Sequence, residues 1–337
     1  QAVRLWVDDA SALAWLAPGG AAGVQVMRWD DAAMALPDAT TPGDCVVEAF
    51  GCDPPPAFVA RMAQPPVPPV WINLEYLSAE VFVERAHGLR SPQSGGPGAG
   101  LSKWFFYPGF SDRTGGLLQT DQPGAATRAD TPHWLARQGW AARSGERSVL
   151  VFGYDNPALP ALLQALATRP TLLRLMPGPP CQPVLAARWP DTLRLLPLPY
   201  VPQPDFDRLL AASDLNLVRG EDSFVRAQVV SDAPFLWQIY PQHDGAHAAK
   251  LDAFVAQALA GADAALAGAV SAAFRACNGL AAWPEALGSL LDGPLWPRWQ
   301  AWQRGWRAGL AAREDLADRL IAFAAERAST PTSTRQG

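Results

Sequence analysis

The second half of the chain alternates short apolar runs with amphipathic segments. Apolar runs of strand length cover 148–155, 171–176, 192–198, 215–218 and 234–240. Segments whose apolar residues recur three or four apart, as on a helix face, cover 159–169, about 183–189, 204–214 and 223–230. This alternation predicts βαβ units around a parallel sheet, with ligands expected at the carboxyl ends of the strands.

The first half has a weaker pattern of the same kind. Strands are predicted over 3–9, 44–50 and 69–76, separated by proline clusters, and the stretch 111–147 is the expected interdomain region. The tail predicts two helices, and its tryptophans 296, 299, 302 and 306 are expected to pack against the body. We therefore predict an α/β fold with Rossmann-like domains over 1–140 and 148–295, followed by carboxy-terminal helices over 296–330.

Composition limits the function classes. The 337 residues are 49% hydrophobic and 18% charged, as in a globular protein with a substantial core. A net charge of −5 argues against nucleic-acid binding through a basic surface and suits a basic protein partner. No apolar run approaches the ~20 residues of a membrane span. The four cysteines lack CxxC spacing, which favours unpaired, mostly buried thiols in a cytoplasmic protein.

Common nucleotide motifs are missing from the sequence. The glycine clusters at 19–23 and 95–100 do not have the G-x-G-x-x-G spacing of a dinucleotide-binding turn, and no P-loop is present. The sequence also contains no evident cluster of metal ligands, so we expect a site that uses neither a metal nor a cofactor.

The best candidate for chemistry is the run from Arg219 to Ser223, directly after a predicted strand. Gly220 allows a sharp turn, and Asp222 or Ser223 is expected to cap the following helix. A helix amino terminus beside Arg219 favours a diphosphate, whereas Glu221 suits sugar hydroxyls. An ordinary strand-to-helix turn with capping residues fits the same run.

Aromatic and amide side chains follow two neighbouring predicted strands. Phe152 and Tyr154 end the first strand of this half, and Tyr200, Gln203 and Phe206 follow the third. Aromatic rings can sandwich a base, and an amide can bind the polar edge of a pyrimidine. Each residue alone is more typical of a core, but together they predict a nucleotide pocket.

These and other motifs resemble those of a known family. The motifs are VRLWVDD (3–9), WINLEYLSAE (71–80), KWFFYPGF (103–110), GGLL (115–118), the F-x-Y of 152–154, RGEDSFVRAQ (219–228) and PFLWQIYPQ (234–242). They are similar to the bacterial protein-arginine rhamnosyltransferases that modify translation elongation factor P. The resemblance implies a metal-independent GT-B fold, with two domains facing a cleft, that transfers rhamnose from dTDP-β-L-rhamnose to an arginine of that factor with inversion.

The resemblance also implies roles for individual residues. Phe152, Tyr154, Tyr200, Gln203 and Phe206 would hold the thymidine part. Arg219, Asp222 and Ser223 would hold the diphosphate and ribose region, and Glu221 would be catalytic. Tyr200 stands where the family pattern leads us to expect phenylalanine, a departure that keeps the ring.

A second departure concerns the start of the chain. The family pattern begins with a strand and a glycine-containing turn carrying the aspartate proposed as general base, which we expect upstream of residue 1. The strand over 3–9 would then be the second of its sheet, and the fragment alone would be inactive with a poorly folded first half.

Two alternatives fit the same residues. One is a GT-B enzyme that uses another nucleotide sugar or acceptor, and the other is a catalytically inactive protein that binds elongation factor P or a nucleotide. The pocket residues discriminate poorly among these functions.

Overall fold

A computed structural model describes residues 2–29, 41–119, 124–242, 245–283 and 287–329. They form two compact units. The first comprises the described parts of 1–14, 19–120 and 313–337, and the second those of 15–18 and 121–312. In this division residues 124–140 group with the second unit, and the tail is shared between both.

The strands in the described residues are β1 (Val3–Val7), β2 (Val24–Arg28), β3 (Cys45–Ala49), β4 (Val70–Leu74), β5 (Arg90–Pro92), β6 (Ser102–Phe106), β7 (Arg147–Val151), β8 (Thr171–Leu175), β9 (Leu193–Pro197), β10 (Leu215–Arg219) and β11 (Phe235–Gln238). The α-helices are α1 (Leu13–Leu16), α2 (Pro56–Met62), α3 (Val81–Ala86), α4 (Ala125–Arg137), α5 (Leu159–Leu166), α6 (Cys181–Ala186), α7 (Gln203–Ala211), α8 (Asp222–Val230), α9 (Ala246–Ala258), α10 (Ala264–Cys277), α11 (Leu287–Asp292), α12 (Leu295–Ala311) and α13 (Leu316–Ser329).

The second unit contains a five-stranded parallel sheet of order β11-β10-β7-β8-β9. Its inner strands β7 and β8 are buried along their whole length, and β10 is buried up to Arg219, which explains why these strands appear in the sequence as continuous apolar runs. The predicted strands and helices of this half are confirmed, with ends that differ by a few residues. Because β8 and β9 lie on one side of β7, and β10 and β11 on the other, the chain reverses its winding between β7 and β10.

The first unit contains a four-stranded sheet of order β3-β4-β6-β5. Strands β3, β4 and β6 are parallel, and the short β5 is antiparallel to β6. One core cluster joins Phe58 and Met62 of α2 to Trp71. Another joins Phe323 of α13 to Ile72 and Phe106. Because β3, β4 and β6 are parallel, their carboxyl ends lie at the same edge of the sheet.

The stretch 111–147, predicted as the interdomain region, contains the boundary between the two units and also the unpredicted helix α4. The internal Pro132 and the scarce apolar residues of α4 conceal its helical period. Two other expectations about local structure are wrong. Strand β1 was expected to be the second strand of the main sheet of this unit. In the described residues it instead pairs with β2, which was not predicted, and the two form a separate two-stranded parallel sheet. The four cysteines are free as expected, but Cys45 and Cys52 are exposed, so the thiols are not mostly buried.

The tail helices pack as the tryptophan spacing predicts. Trp299 is buried, and the indoles of Trp302 and Trp306 donate hydrogen bonds to the Ala258 carbonyl and to Gln228 Oε1. Throughout the described part of the chain, no helix combines the length and apolar character needed to cross a membrane.

Candidate functional site

The candidate site lies at the carboxyl ends of β7 and β10, where the sheet of the second unit changes its winding direction. Phe152 and Tyr154 follow β7, and Arg219 ends β10. At such a point the two crossover connections leave the sheet on opposite sides, which opens a crevice where ligands of α/β sheets bind. The topology thus brings together residues that are 65 or more positions apart in sequence.

Arg219 is the central cation of the site. Its guanidinium carbon lies 4.3 Å from the centroid of the Phe152 ring and 5.1 Å from that of Tyr154. Its Nη1 donates a hydrogen bond of 3.2 Å to the Gly153 carbonyl. A Cβ at Gly178 would come within 3.4 Å of the same nitrogen, so glycine there leaves room for the guanidinium. The cation is therefore fixed in position while Arg219 remains half-buried.

The turn after Arg219 is held by the neighbouring strand. Gly220 has a φ of +65°, and a Cβ there would lie 3.2 Å from the Tyr154 hydroxyl. The Gly220 N–H donates to the Gln238 carbonyl at 3.1 Å, and the Trp237 indole donates to the Gly220 carbonyl at 2.6 Å. Glycine is thus favoured both by its backbone conformation and by the close approach of Tyr154.

The prediction that Asp222 or Ser223 caps α8 is wrong. Glu221 occupies the N-cap position, and among the described side chains none caps this helix. The Ser223 hydroxyl accepts the Arg219 N–H at 3.2 Å and donates to the Arg219 carbonyl. Ser223 therefore stabilises the end of β10 instead of capping the amino terminus of α8.

The carboxylates of the turn have different surroundings. Glu221 is half-buried directly before the helix. Part of Asp222 is exposed, yet the protein around its carboxyl raises the pKa by desolvation, an effect that Arg226 opposes. A carboxyl group with a raised pKa is less readily ionised than an ordinary aspartate, which lowers its repulsion of a nearby phosphate.

Phe206 and Gln203 belong to α7. The Phe206 ring meets the Phe152 ring edge to face, with centroids 5.6 Å apart. Gln203 Nε2 donates to Asp207 Oδ1 at 3.2 Å. Asp207 is 1% exposed and accepts hydrogen bonds from both Nε and Nη2 of Arg226. This buried ion pair links α7 to α8 and so keeps the Phe206 ring beside the turn.

Tyr200 lies apart from this ring group. It is 52% exposed and stacks on Trp15, with centroids 4.6 Å apart and an interplanar angle of 30°. The structure thus places Arg219 against the Phe152 and Tyr154 rings, with Phe206 against Phe152. Tyr200 instead contacts Trp15, and the Gln203 amide contacts Asp207.

Sequence reasoning missed Gln238, which supports the site from β11. Its Oε1 accepts the Tyr154 N–H at 2.9 Å, and a Cβ at Gly153 would overlap this oxygen. A glutamine inside an apolar run predicted as a buried strand is a signal that could have identified it, because buried amides need partners. Asp207 and Arg226 were also missed, since their pairing depends on how α7 and α8 pack.

The site offers aromatic faces, a fixed guanidinium and helix N–H groups, a combination suited to an aromatic anion. Within the described ranges, no group of three or more His, Cys, Asp or Glu side chains is arranged to hold a metal ion.

Comparisons with known proteins agree on one family. The model of the family described as Elongation-Factor P (EF-P) rhamnosyltransferase EarP matches residues 1–325. A protein-arginine rhamnosyltransferase of Pseudomonas putida is 41% identical over 359 residues, covering 96% of this chain and 90% of that protein. One from Pseudomonas aeruginosa is 38% identical over 358 residues, covering 97% and 91%.

A solved structure matches along nearly the whole chain. It is described as the structural basis for EarP-mediated arginine glycosylation of translation elongation factor EF-P. The match has a TM-score of 0.60 and 28% sequence identity, and covers 98% of this chain and 100% of the other. It confirms the predicted fold class.

Proposed function

We propose that this chain, which belongs to the EarP family of elongation factor P rhamnosyltransferases, transfers L-rhamnose from dTDP-β-L-rhamnose to an arginine of translation elongation factor P with inversion. The observation that carries the donor part of the proposal is Arg219, held over two aromatic rings where the sheet changes winding. An aromatic anion such as a nucleoside diphosphate matches that arrangement. Because the acceptor is a translation factor, the proposed compartment is the cytoplasm.

The donor is proposed to bind along the strand ends of the second unit. Phe152, Tyr154 and Phe206 provide ring faces for the thymine, and Tyr200 and Gln203 complete the thymidine site. Arg219 and the first turn of α8 bind the diphosphate, because oriented N–H groups and a guanidinium both favour phosphate oxygens. Asp222 lies beside the ribose and diphosphate. The Ser223 hydroxyl holds the backbone of Arg219 in place by accepting the Arg219 N–H.

The proposed reaction is a single displacement. A guanidine nitrogen attacks the anomeric carbon, a C–N bond forms, and the C–O bond to the departing dTDP breaks on the opposite face. The attacking nitrogen loses one proton to a carboxylate base, since a guanidinium with a pKa above 12 is a poor nucleophile while protonated. Arg219 and the α8 amino terminus stabilise the charge that develops on dTDP. Glu221, next to that amino terminus, is the proposed catalytic carboxylate of the second unit.

Intact-mass spectrometry tests the proposed function directly. Elongation factor P incubated with the enzyme and dTDP-rhamnose should gain one deoxyhexose, and an acceptor variant with the target arginine replaced by lysine should gain none. A parallel reaction with dTDP-glucose tests donor choice. No mass increment from a folded, full-length enzyme would contradict the proposal, and transfer of glucose at an equal rate would contradict the donor assignment.

Glu221→Gln tests the catalytic role separately, because the change keeps the shape and removes the charge. Transfer should fall by a factor of about 100 or more, as for other groups that assist proton transfer, while the melting temperature stays near that of the parent. A rate within a few-fold of the parent would assign Glu221 to the turn alone.

Metal independence is part of the proposal, and it rests on the cationic groups facing the diphosphate. Activity should survive EDTA. A rate that collapses with EDTA and returns with magnesium or manganese would contradict it.

A further inference from the structure

An exposed aromatic pair lies at the carboxyl edge of the sheet in the first unit. Phe50 follows β3, and Glu75 and Tyr76 follow β4. The Phe50 and Tyr76 rings are stacked, with centroids 4.3 Å apart and an interplanar angle of 18°. Phe50 is 47% exposed and Tyr76 is 55% exposed. Two large rings thus present their surface to solvent where α/β sheets bind ligands.

The backbone that carries Phe50 is strained. Its φ is +61°, and in the described chain it is the single non-glycine residue with a positive φ. Gly51 follows with a φ of +71°, and the Cys52 N–H closes the turn on the Ala49 carbonyl at 3.1 Å. The left-handed conformation costs a residue with a β-carbon about 1–2 kcal/mol, and such strain concentrates at functional sites. A phenylalanine with a strained backbone and an exposed ring contributes little to folding, which points to another role for Phe50.

One buried amide fixes both the turn and a carboxylate beside it. Asn73 is 4% exposed, and its Oδ1 accepts the Gly51 N–H at 3.0 Å. Its Nδ2 donates to Glu75 Oε1 at 2.7 Å. In the described part of the chain, no cation forms an ion pair with Glu75. Tyr107 follows β6 at the same edge of the sheet. Burial raises the pKa of the Tyr107 phenol, and the negative charge of Glu75 raises it further.

We propose that Phe50, Tyr76 and Glu75 form the binding site for the guanidinium of the acceptor arginine; this inference rests on the proposed function. A planar cation stacks on an aromatic face and donates paired hydrogen bonds to a carboxylate, which is the combination present here. A purely apolar ligand would leave the charge of the Glu75 carboxylate without a counter-ion, and a phosphate would be repelled by it. The rings and the carboxylate are held ready before the ligand arrives, which lowers the entropy lost on binding.

Binding of elongation factor P without donor, measured by calorimetry, tests the site. Glu75→Gln and Tyr76→Leu should each weaken the Kd about five- to thirty-fold, the range expected for a cation–π contact or a charged hydrogen bond. Tyr76→Phe keeps the ring and should bind like the parent. Asp318→Asn removes one exposed negative charge from the same unit and is the matched control. Affinity for dTDP-rhamnose should be unchanged in all four.

A double-mutant cycle with the acceptor decides whether the arginine is the occupant. Once the target arginine of elongation factor P is replaced by alanine, Glu75→Gln should weaken binding less than two-fold further. Equal losses against parent and variant acceptor would overturn the proposal, as would parental affinity in both Glu75→Gln and Tyr76→Leu. A parent enzyme that neither binds nor modifies elongation factor P would instead overturn the proposed function.

Phe50→Asn separates function from folding. Asparagine accepts the left-handed conformation more readily than phenylalanine, so this variant should melt no lower than Tyr76→Leu while losing acceptor affinity about five-fold or more. Retained affinity in a folded Phe50→Asn protein would remove Phe50 from the site.

Discussion

The guanidinium carbon of Arg219 lies 4.3 Å from the centroid of the Phe152 ring. The cation that ends one strand therefore rests on the aromatic ring that follows the adjacent strand. This contact fixes the direction of the guanidinium, and the hydrogen bond to Gly153 adds a second constraint. A proposed diphosphate would meet a cation that is already oriented, which is how charged sites avoid a reorganisation cost during reaction.

Arg219→Lys tests the need for that orientation. Lysine keeps the charge but loses the planar contact with the rings and the fork of donors. We expect dTDP-rhamnose affinity to fall about tenfold or more, equivalent to about 1.4 kcal/mol, when measured by calorimetry. Arg188→Lys, on an exposed position of the same unit, is the control. An unchanged Kd in Arg219→Lys would show that charge alone suffices.

Gln238→Met tests the support of Tyr154. Methionine matches the glutamine in size but leaves the Tyr154 N–H without its acceptor. An unsatisfied buried donor costs about 1–3 kcal/mol, so the free energy of unfolding should fall by that amount in denaturant titrations. Gln238→Glu keeps an acceptor oxygen and should bind donor better than Gln238→Met, whereas Gln242→Met at an exposed position should have little effect. Equal stability of Gln238→Met and the parent would mean that the Tyr154 N–H finds another partner.

Asp207→Asn tests the buried ion pair with Arg226. Removing one charge leaves the other uncompensated in the interior, which costs about 3–5 kcal/mol. Replacing both residues, as in Asp207→Leu with Arg226→Met, should be less destabilising than Asp207→Asn, because no buried charge remains. Chemical denaturation of the three proteins measures both effects. A double variant less stable than the single one would show that the pair contributes net stability through further hydrogen bonds.

His87 should make the stability of the protein depend on pH. Burial, together with the charges of Arg319 and Arg327, lowers the pKa of His87 to about 4 from its ordinary 6.5. The unfolded chain takes up a proton near pH 6.5 that the folded chain excludes until about pH 4. Stability from this group is therefore complete above pH 6.5 and is lost as pH falls toward 4.

His87→Asn provides the comparison. The asparagine Oδ1 can still accept the Tyr107 N–H, which His87 Nδ1 accepts at 3.0 Å, but the side chain does not titrate. The variant should have a lower melting temperature at pH 7, because the ring packs against Phe106, and a smaller loss between pH 7 and 4.5. His133→Asn, at an exposed position, should keep the parental pH profile. A parental slope in His87→Asn would assign the acid sensitivity to other groups.

The amino-acid sequence was sufficient to predict the sheet of the second unit and the strand ends that carry its candidate site. Strands of a parallel sheet covered on both faces appear as continuous apolar runs, so β7, β8 and β10 stand out. The residues after such strands then fall at one edge, whatever the packing of the helices. Phe152 and Arg219 could therefore be assigned to one site although they are far apart in sequence.

The partners of those side chains, by contrast, depend on the three-dimensional packing. Ser223 bonds to the strand end instead of capping α8, Tyr200 stacks on Trp15, and Gln238 holds the Tyr154 N–H. The stacking of Phe50 on Tyr76 likewise depends on the register of β3 against β4 and on a turn with two positive φ angles. Periodicity reports which face of a strand or helix is buried. It carries no information on which distant residue completes a hydrogen bond or a ring contact, because that depends on register, on crossover paths and on helix packing.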